Sequence, residues 1–561
     1  MSSITPARWL IGLQSLALVA FTVAAGQSRF EITLHTPEAQ PITGRLLVIV
    51  TSNKTAEPRL QIGNDNQPPA FGIDVARLRD GETAVIDDRT LGYPLVSLRD
   101  LPAGDYNVQA LLNVYTEFHR ADGHLIWAHM DQWEGQQMGT SPGNVISDVQ
   151  TLHLDPRAGF RVRLRLTRVI PPLPPQKDTK WLRYVKIQSK LLSAFWGRPI
   201  YLGATVLVPK GYDEHPDILY PVVYKQGHFG QVPFFFDDNP ESARHDGRLV
   251  EYGLQTGYDF YRSWSADSFP RLIAVTIHHP TPYFDDSYAV NSANNGPYDD
   301  AIMQELLPEI ETRFRIIRKP YARLLEGAST GGWEALALQL YHAEFYGGTW
   351  VHYPDPIDFH RYLLVDIYND TNAFVAQSPR SPWLVQERPW RRTTEGQLAT
   401  TLRQVSRLEE VLGTRGRSGY QLEGWESVYA PVGSDGYPKP LWNKLTGTID
   451  RSVAEYMREQ GYDLTDYAAR NWSRIGPHLQ GKIHVIVGDM DDYYLNLAVY
   501  RFENFLKSTA SPHVDGVFTY GRPMKEHGWH AQTFAEIVRD MATLIKQNAP
   551  AGENTTAWSS Y

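Results

Sequence analysis

Three short segments hold side chains whose types and order suit nucleophilic chemistry. Arg323 to Tyr341 reads "RLLEGASTGGWEALALQLY", with Ser329 inside a Gly-x-Ser-x-Gly turn. Further on, "IHVIVGDMDDYYLNL" offers Asp489, Asp491 and Asp492, and "MKEHGWHAQTF" offers His527 and His530. A serine hydroxyl is a weak nucleophile until a base takes its proton, and an imidazole is the usual base. A carboxylate behind that imidazole holds its tautomer and stabilises the charge it acquires. The order serine, acid, histidine along the chain therefore predicts acyl transfer through a covalent serine intermediate. The bland reading of Ser329 is a serine caught in a glycine-rich turn.

These residues need elements to hold them, and the sequence around them supplies candidates. Leu324 and Leu325 read as the end of a strand, while Trp333, Leu336, Ala337 and Leu340 form a helical apolar stripe. Gly327, Gly331 and Gly332 remove side chains where a sharp strand-to-helix turn brings backbones together. Such a turn lifts the serine above the sheet and turns the amide of Thr330 toward a developing oxyanion. The three aspartates follow a β-branched run and precede a helical pattern, so one of them could instead cap that helix. A cluster of this kind could also hold a hard cation, although it lacks the spread of oxygen ligands that calcium prefers. His484 lies inside the strand "KIHVIV" and reads as a packed residue. His527 and His530 share a glycine-containing loop before the last long helix, and either could be the base. Asp355 and Asp358, in "HYPDPIDF", are less favoured positions for the acid. The second oxyanion donor is expected after an early strand, in "YPVVYKQGHFGQ", from the backbone amide of His228 or Phe229.

Around these elements the chain divides by texture. Residues 27–170 carry short alternating strands and no long helical period; in "FRVRLRLTRVI" Phe160, Val162, Leu164 and Leu166 fall on one face and arginines on the other. A β-sandwich of immunoglobulin-like type is expected there. "VIPPLPPQKD" places four prolines in ten residues, so residues 171–179 read as a linker. Residues 180–550 alternate strands with helices, which argues an α/β fold with a largely parallel sheet and the site at the strands' carboxyl ends. Residues 551–561 read as a polar tail. At the other end, Arg8 precedes an uncharged apolar run from Trp9 to Ala25, and Val23-Ala24-Ala25 offers small residues for cleavage. Residues 1–26 are therefore expected to be a signal peptide, the alternative being an uncleaved anchor. The mature protein is expected to be exported, periplasmic or secreted, without stable membrane insertion.

Composition removes several classes. The 561-residue chain has no cysteine, which excludes disulfides, thiol catalysis and cysteine zinc sites. Its net charge of −9 is spread along the chain, and no basic cluster suggests a nucleic-acid partner.

Taken together, "VLVPKGYD", "YPVVYKQGHFG", "QELLPEIETRFR" ahead of "GASTGGW", "GDMDDYYL" and "EHGWH" resemble the esterase family of α/β-hydrolases that includes enterochelin esterases, S-formylglutathione hydrolases and feruloyl esterases. The resemblance covers about residues 180–547. It implies an α/β-hydrolase fold, a small-molecule or glycan-linked ester as substrate, and no cofactor or metal. It favours His527 over His530, as histidine of a His-x-Trp before the final helix, and Asp491, three beyond Gly488. The family's loop order is His-Gly where this chain has Gly-His at Gly227-His228, which leaves the oxyanion donor open between His228 and Phe229. A β-sandwich ahead of such a domain also resembles the enterochelin esterase arrangement. Ser329 and Asp491 stand 162 residues apart, more than a bare core needs. The excess, residues 366–475, carries Trp383, Trp390, Trp425, Trp442 and Trp472 and is expected to form a cap lined for an aromatic, sugar-like or peptide-like substrate. The same machinery would serve an acyltransferase or a peptidase. A catalytically inactive glycan-binding protein is the reading of a different class.

Overall fold

The computed structural model describes residues 27–36, 40–378 and 380–559. The expected signal peptide lies outside the described residues. Among those residues no helix is long and apolar enough to cross a membrane.

The first domain is all-β. Ten strands between Arg29 and Val169 hydrogen-bond into one sheet, with Gly104–His119 at its centre. That strand pairs with Ile42–Thr51 on one side and, in succession, with Gln150–Leu154, Val145–Ser147 and Leu125–His129 on the other. Arg29–Leu34 runs parallel to Arg161–Val169. Leu164 and Leu166 are fully buried while Arg163 and Arg165, which alternate with them, are exposed, as period-two alternation requires. Phe30, Val48, Phe71, Ile86 and Leu112 come from distant parts of this sheet yet share one core, so the sheet folds over itself. Residues 171–179 are irregular and exposed.

The second domain is built on eight strands: β1 (Leu182–Ser189), β2 (Ile200–Leu207), β3 (Val222–Gln226), β4 (Ile273–His278), β5 (Arg323–Ala328), β6 (Gly348–His352), β7 (Ile483–Gly488) and β8 (Val517–Gly521). Their order is β1-β2-β4-β3-β5-β6-β7-β8; β2 is antiparallel to its neighbours and the rest are parallel. The central strands β3, β4 and β5 are buried on both faces, which explains their continuous apolar runs. The chain is thus an α/β-hydrolase domain preceded by a β domain. Helix α1 (Thr330–Tyr341) follows β5, α4 (Asn496–Ser508) follows β7, and α5 (Phe534–Asn548) closes the domain.

Between β6 and β7 the chain leaves the sheet and forms, among the described residues, two hairpins and four α-helices, including α2 (Leu402–Leu412) and α3 (Gln421–Tyr429). The β domain packs directly on this insertion. Leu47, Ile49, Leu111 and Ile146 share a core with Leu408, Val411 and Leu412 of α2. Arg45 is buried, and its guanidinium donates to the carbonyls of Glu410 and Val411 at 2.8 and 3.0 Å. Thr400 Oγ1 donates to Asp65 at 2.7 Å. The C-terminal segment departs from a free polar tail: Trp558 is 1% exposed in the main core, and Glu553 pairs with Lys319 at 2.7 Å. One large apolar ring outweighs the polar residues around it.

Candidate active site

Ser329 sits between β5 and α1 with φ 57° and ψ −118°, a strained conformation for a residue with a side chain. The glycines around it make the turn possible. A Cβ on Gly327 would lie 2.0 Å from the carbonyl oxygen of Gly331, and one on Gly331 would lie 2.3 Å from that of Gln226. Hydrogen bonds fix the turn: Ser329 N donates to His352 O at 3.0 Å, and Ser329 O accepts from Trp333 N and Asp355 N at 3.1 Å each. The amide of Thr330 is the first of α1, among those that an α-helix leaves without an internal partner.

The loops after β7 and β8 bring an acid and an imidazole together. His527 Nδ1 donates to Asp491 Oδ2 at 2.8 Å, and Asp491 is fully buried. Its other oxygen accepts from the amides of Tyr493 and Leu495 at 2.9 and 3.2 Å, so the carboxylate is held from both sides. Burial alone would depress the basicity of His527; the facing Asp491 charge and its hydrogen bond outweigh that and raise its pKa above the usual histidine value. The rival residues stand elsewhere. His530 is buried, its Nδ1 donates to Gly528 O at 2.9 Å, and its ring packs 4.5 Å from His352. Burial pushes its pKa down to about 3. The Asp489 carboxylate stands 3.7 Å from Arg522, and Asp492 accepts from the backbone amide of His527 at 3.5 Å rather than from its ring.

Ser329 and His527 line one cavity of about 350 Å³, together with His228, Asp285 and Asp355. His228 belongs to the loop after β3, at the carboxyl end of the sheet. The Phe229 ring turns away from this cavity and packs on Trp133 and His278, at 5.1 Å in each case. The amides of both residues donate to no other group among the described residues. Two of the five cap tryptophans, Trp390 and Trp425, reach the cavity. Trp442 is buried with its Nε1 on Ser406, Trp472 packs on Phe505, and Trp383 is 88% exposed. Phe284, Tyr420 and Tyr493 complete an aromatic wall. Gly63 of the β domain also lines the cavity, so all three parts of the chain enclose it.

Asp355 is the residue that sequence reasoning undervalued. Ser329 Oγ donates to its Oδ1 at 3.3 Å. Its Oδ2 accepts from Tyr288 OH at 2.6 Å, Trp425 Nε1 at 3.0 Å, and Thr330 Oγ1 and Gln421 Nε2 at 3.1 Å each. Burial raises its pKa, against the opposing effect of these donors. The available signal was its place just after β6, at the carboxyl end of a strand beside the nucleophile's own. Replacing Asp355 by alanine removes the acceptor on which Tyr288, Trp425, Thr330 and Gln421 converge, and leaves these groups only the bonds among themselves, such as Trp425 Nε1 to Tyr288 OH at 2.5 Å. The expected loss is on the order of 3 kcal/mol of unfolding free energy, read from the urea midpoint.

Residues 203–422 match the family model described as Putative esterase. No curated protein matches the chain. Among solved structures it is similar to a ferulic acid esterase, at 14% identity over 65% of this chain and 98% of that one, TM-score 0.35. It is also similar to an S-formylglutathione hydrolase from Staphylococcus aureus, at 11% identity over 65% and 98%, TM-score 0.30. A ferulic acid esterase from Anaeromyces mucronatus aligns at 12% identity over 66% and 93%, TM-score 0.29.

Proposed function

We propose that this chain is a carboxylic-ester hydrolase of this esterase family and that it works through Ser329, His527 and Asp491 and a covalent acyl-enzyme. The single observation that supports this most is the 2.8 Å His527–Asp491 pair opening on the same cavity as Ser329. With Nδ1 held by Asp491, the other ring nitrogen of His527 is the one left to take the proton of Ser329 Oγ as that oxygen bonds the acyl carbon. The carbonyl oxygen becomes an oxyanion, received by the Thr330 amide and by the amide of His228 or Phe229. Collapse breaks the bond to the alcohol oxygen, which leaves with the proton from His527. Water, activated by the same imidazole, then releases the acid. Asp355 holds the Ser329 hydroxyl in the resting enzyme and fixes Trp425 and Gln421, which line the cavity, together with the buried Tyr288.

The lining argues for the class of substrate. Among the described residues, five aromatic side chains and no arginine or lysine line the cavity. A neutral aromatic or sugar-linked ester suits it better than an anionic one, by stacking and by avoidance of repulsion from Asp285 and Asp355. Activity is assayed on p-nitrophenyl esters of acetate and of an aromatic acid. Trp390 is 5% exposed and packs 5.2 Å from Tyr493. Trp390→Ala is expected to raise KM for the aromatic ester about tenfold, one lost ring contact, while KM for the acetate ester changes less than twofold. An equal change on both esters would remove the aromatic-acyl assignment. The apolar run at Trp9–Ala25 supports export, and with it a substrate outside the cytoplasm.

A further inference from the structure

Behind the loop that follows β3 lies a group of acids that the ester chemistry does not use. His228 Nδ1 stands 3.0 Å from Asp285 Oδ1 and 3.2 Å from Asp286 Oδ2, and the three donor atoms lie within 4.8 Å of one another. A ring N–H points along one line and serves one acceptor well. The hydrogen bond goes to Asp285, while Asp286 Oδ2 is buried and receives none. Glu334, on α1, stands beside Asp286 with 0% exposure, and neither of its oxygens has a hydrogen-bond partner. The other imidazole nearby, His279, presents an unpartnered Nε2 at 3.8 Å from Glu334. No arginine or lysine forms a salt bridge with Asp285, Asp286 or Glu334 among the described residues. One N–H shared between Asp285 and Asp286 leaves buried oxygens of Asp286 and Glu334 without a donor, and a buried polar group left unpaired costs about 1–3 kcal/mol.

We infer that His228 Nδ1, Asp285 and Asp286 bind a divalent transition-metal ion, with Glu334 as the carboxyl that positions Asp286. Donor atoms about 2.0–2.2 Å from a common ion stand roughly 3.0–3.5 Å from one another, and the 3.0 and 3.2 Å separations fall in that range. One imidazole with two carboxylates is a mixed nitrogen and oxygen set that suits Zn²⁺ or Mn²⁺ better than Mg²⁺ or Ca²⁺. His228 and Asp285 both line the active-site cavity, which provides an entry path for the ion. The ion would tie the loop after β3, source of the second oxyanion amide, to the segment after β4 and to the helix that follows Ser329. That is a positioning role, which rests on the esterase reading, whereas the metal site itself does not.

The test uses full-length, tag-free protein. Metal content is measured as purified; the protein is then dialysed against chelator and titrated with Zn²⁺ and Mn²⁺ by calorimetry. One equivalent per chain is expected, with affinity reduced at least a hundredfold in Asp286→Asn. Glu334→Ala is expected to weaken binding tenfold to a hundredfold, the usual range for a partner of a metal ligand, and Glu334→Gln, whose amide can donate to Asp286 in its place, to restore most of it. His360→Ala, in the separate Asp358, His360 and Asp463 cluster, should leave the stoichiometry unchanged. Chelated wild-type protein that takes up no ion at about 1 mM metal overturns the assignment, whatever the variants do. Unchanged uptake in a folded Asp285→Asn and Asp286→Asn double variant overturns it as well, because the ion then sits elsewhere.

Discussion

Replacing Ser329 by alanine is expected to lower kcat on a p-nitrophenyl ester about a millionfold, the scale on which loss of a triad nucleophile acts. The fold should be unaffected. The serine hydroxyl makes one hydrogen bond, at 3.3 Å to Asp355, and the turn is held by backbone bonds and by close glycine contacts that alanine leaves in place. Alanine also meets the same strain at φ 57° as serine does, so the elbow has no reason to relax. Two readouts separate chemistry from binding. Turnover should vanish with KM-scale substrate binding retained, and labelling by a fluorophosphonate should be lost together with turnover. Esterase activity that survives in Ser329→Ala would assign the nucleophile to another residue and end the mechanism proposed above.

Asp491→Asn is expected to lower kcat about ten-thousandfold and to move the pH dependence of what remains. The first effect follows from the imidazole tautomer. An aspartate accepts the Nδ1 proton at 2.8 Å, whereas an asparagine can present its own amide there and favour the wrong nitrogen. The second has a definite sign. A general base works only when neutral, so kcat/KM falls on the acid side as His527 takes up its proton. Burial depresses the pKa of His527, but Asp491 more than compensates and raises it, so the acid limb of the wild type lies above the ordinary histidine value. Removing the Asp491 charge leaves burial less opposed, and the limb moves to lower pH. Asp492 contributes to the same elevation from farther away, so Asp492→Asn should shift the limb in the same direction with less than a tenfold loss of kcat. His530→Ala is the companion control. Its ring is bonded to Gly528 and packed on His352, away from the cavity, so it should reduce stability rather than alter the pH profile. A profile that moved with His530→Ala and not with Asp491→Asn would reverse the roles assigned to the two histidines.

The order of the elements was legible in the residues because it is written locally. Alternation of apolar and arginine residues from Phe160 to Leu166 can only be a half-buried strand. "VIPPLPPQKD" lacks the donors to join a core, and the glycines at 327, 331 and 332 announce a turn too tight for side chains. Neighbouring residues along the chain carry those signals, so one sequence suffices to read them. The same holds for the candidates at Ser329, in the 489–492 loop and in the 527–530 loop, since each follows from position relative to a strand or a helix.

Which of those candidates meet is a different kind of fact. Asp491 and His527 come from the ends of adjacent parallel strands, and whether a ring nitrogen finds Oδ2 of Asp491 or an oxygen of Asp492 turns on about an ångström of loop geometry. The partners of Asp355 come from three segments, at Tyr288, at Thr330 and on α3, where Gln421 and Trp425 stand one turn apart, and no local pattern relates the three. The β domain's contribution of Gly63 to the cavity rests on Arg45 reaching carbonyls 365 and 366 residues away. Trp558, in a segment polar enough to read as a tail, is drawn into the core by the area of one ring. The sequence alone determined which chemistry was possible and on which elements it would stand, because propensity and spacing act between near neighbours. Tertiary structure alone decided which groups touch and what encloses them, because burial and hydrogen bonding act between residues that only folding brings together.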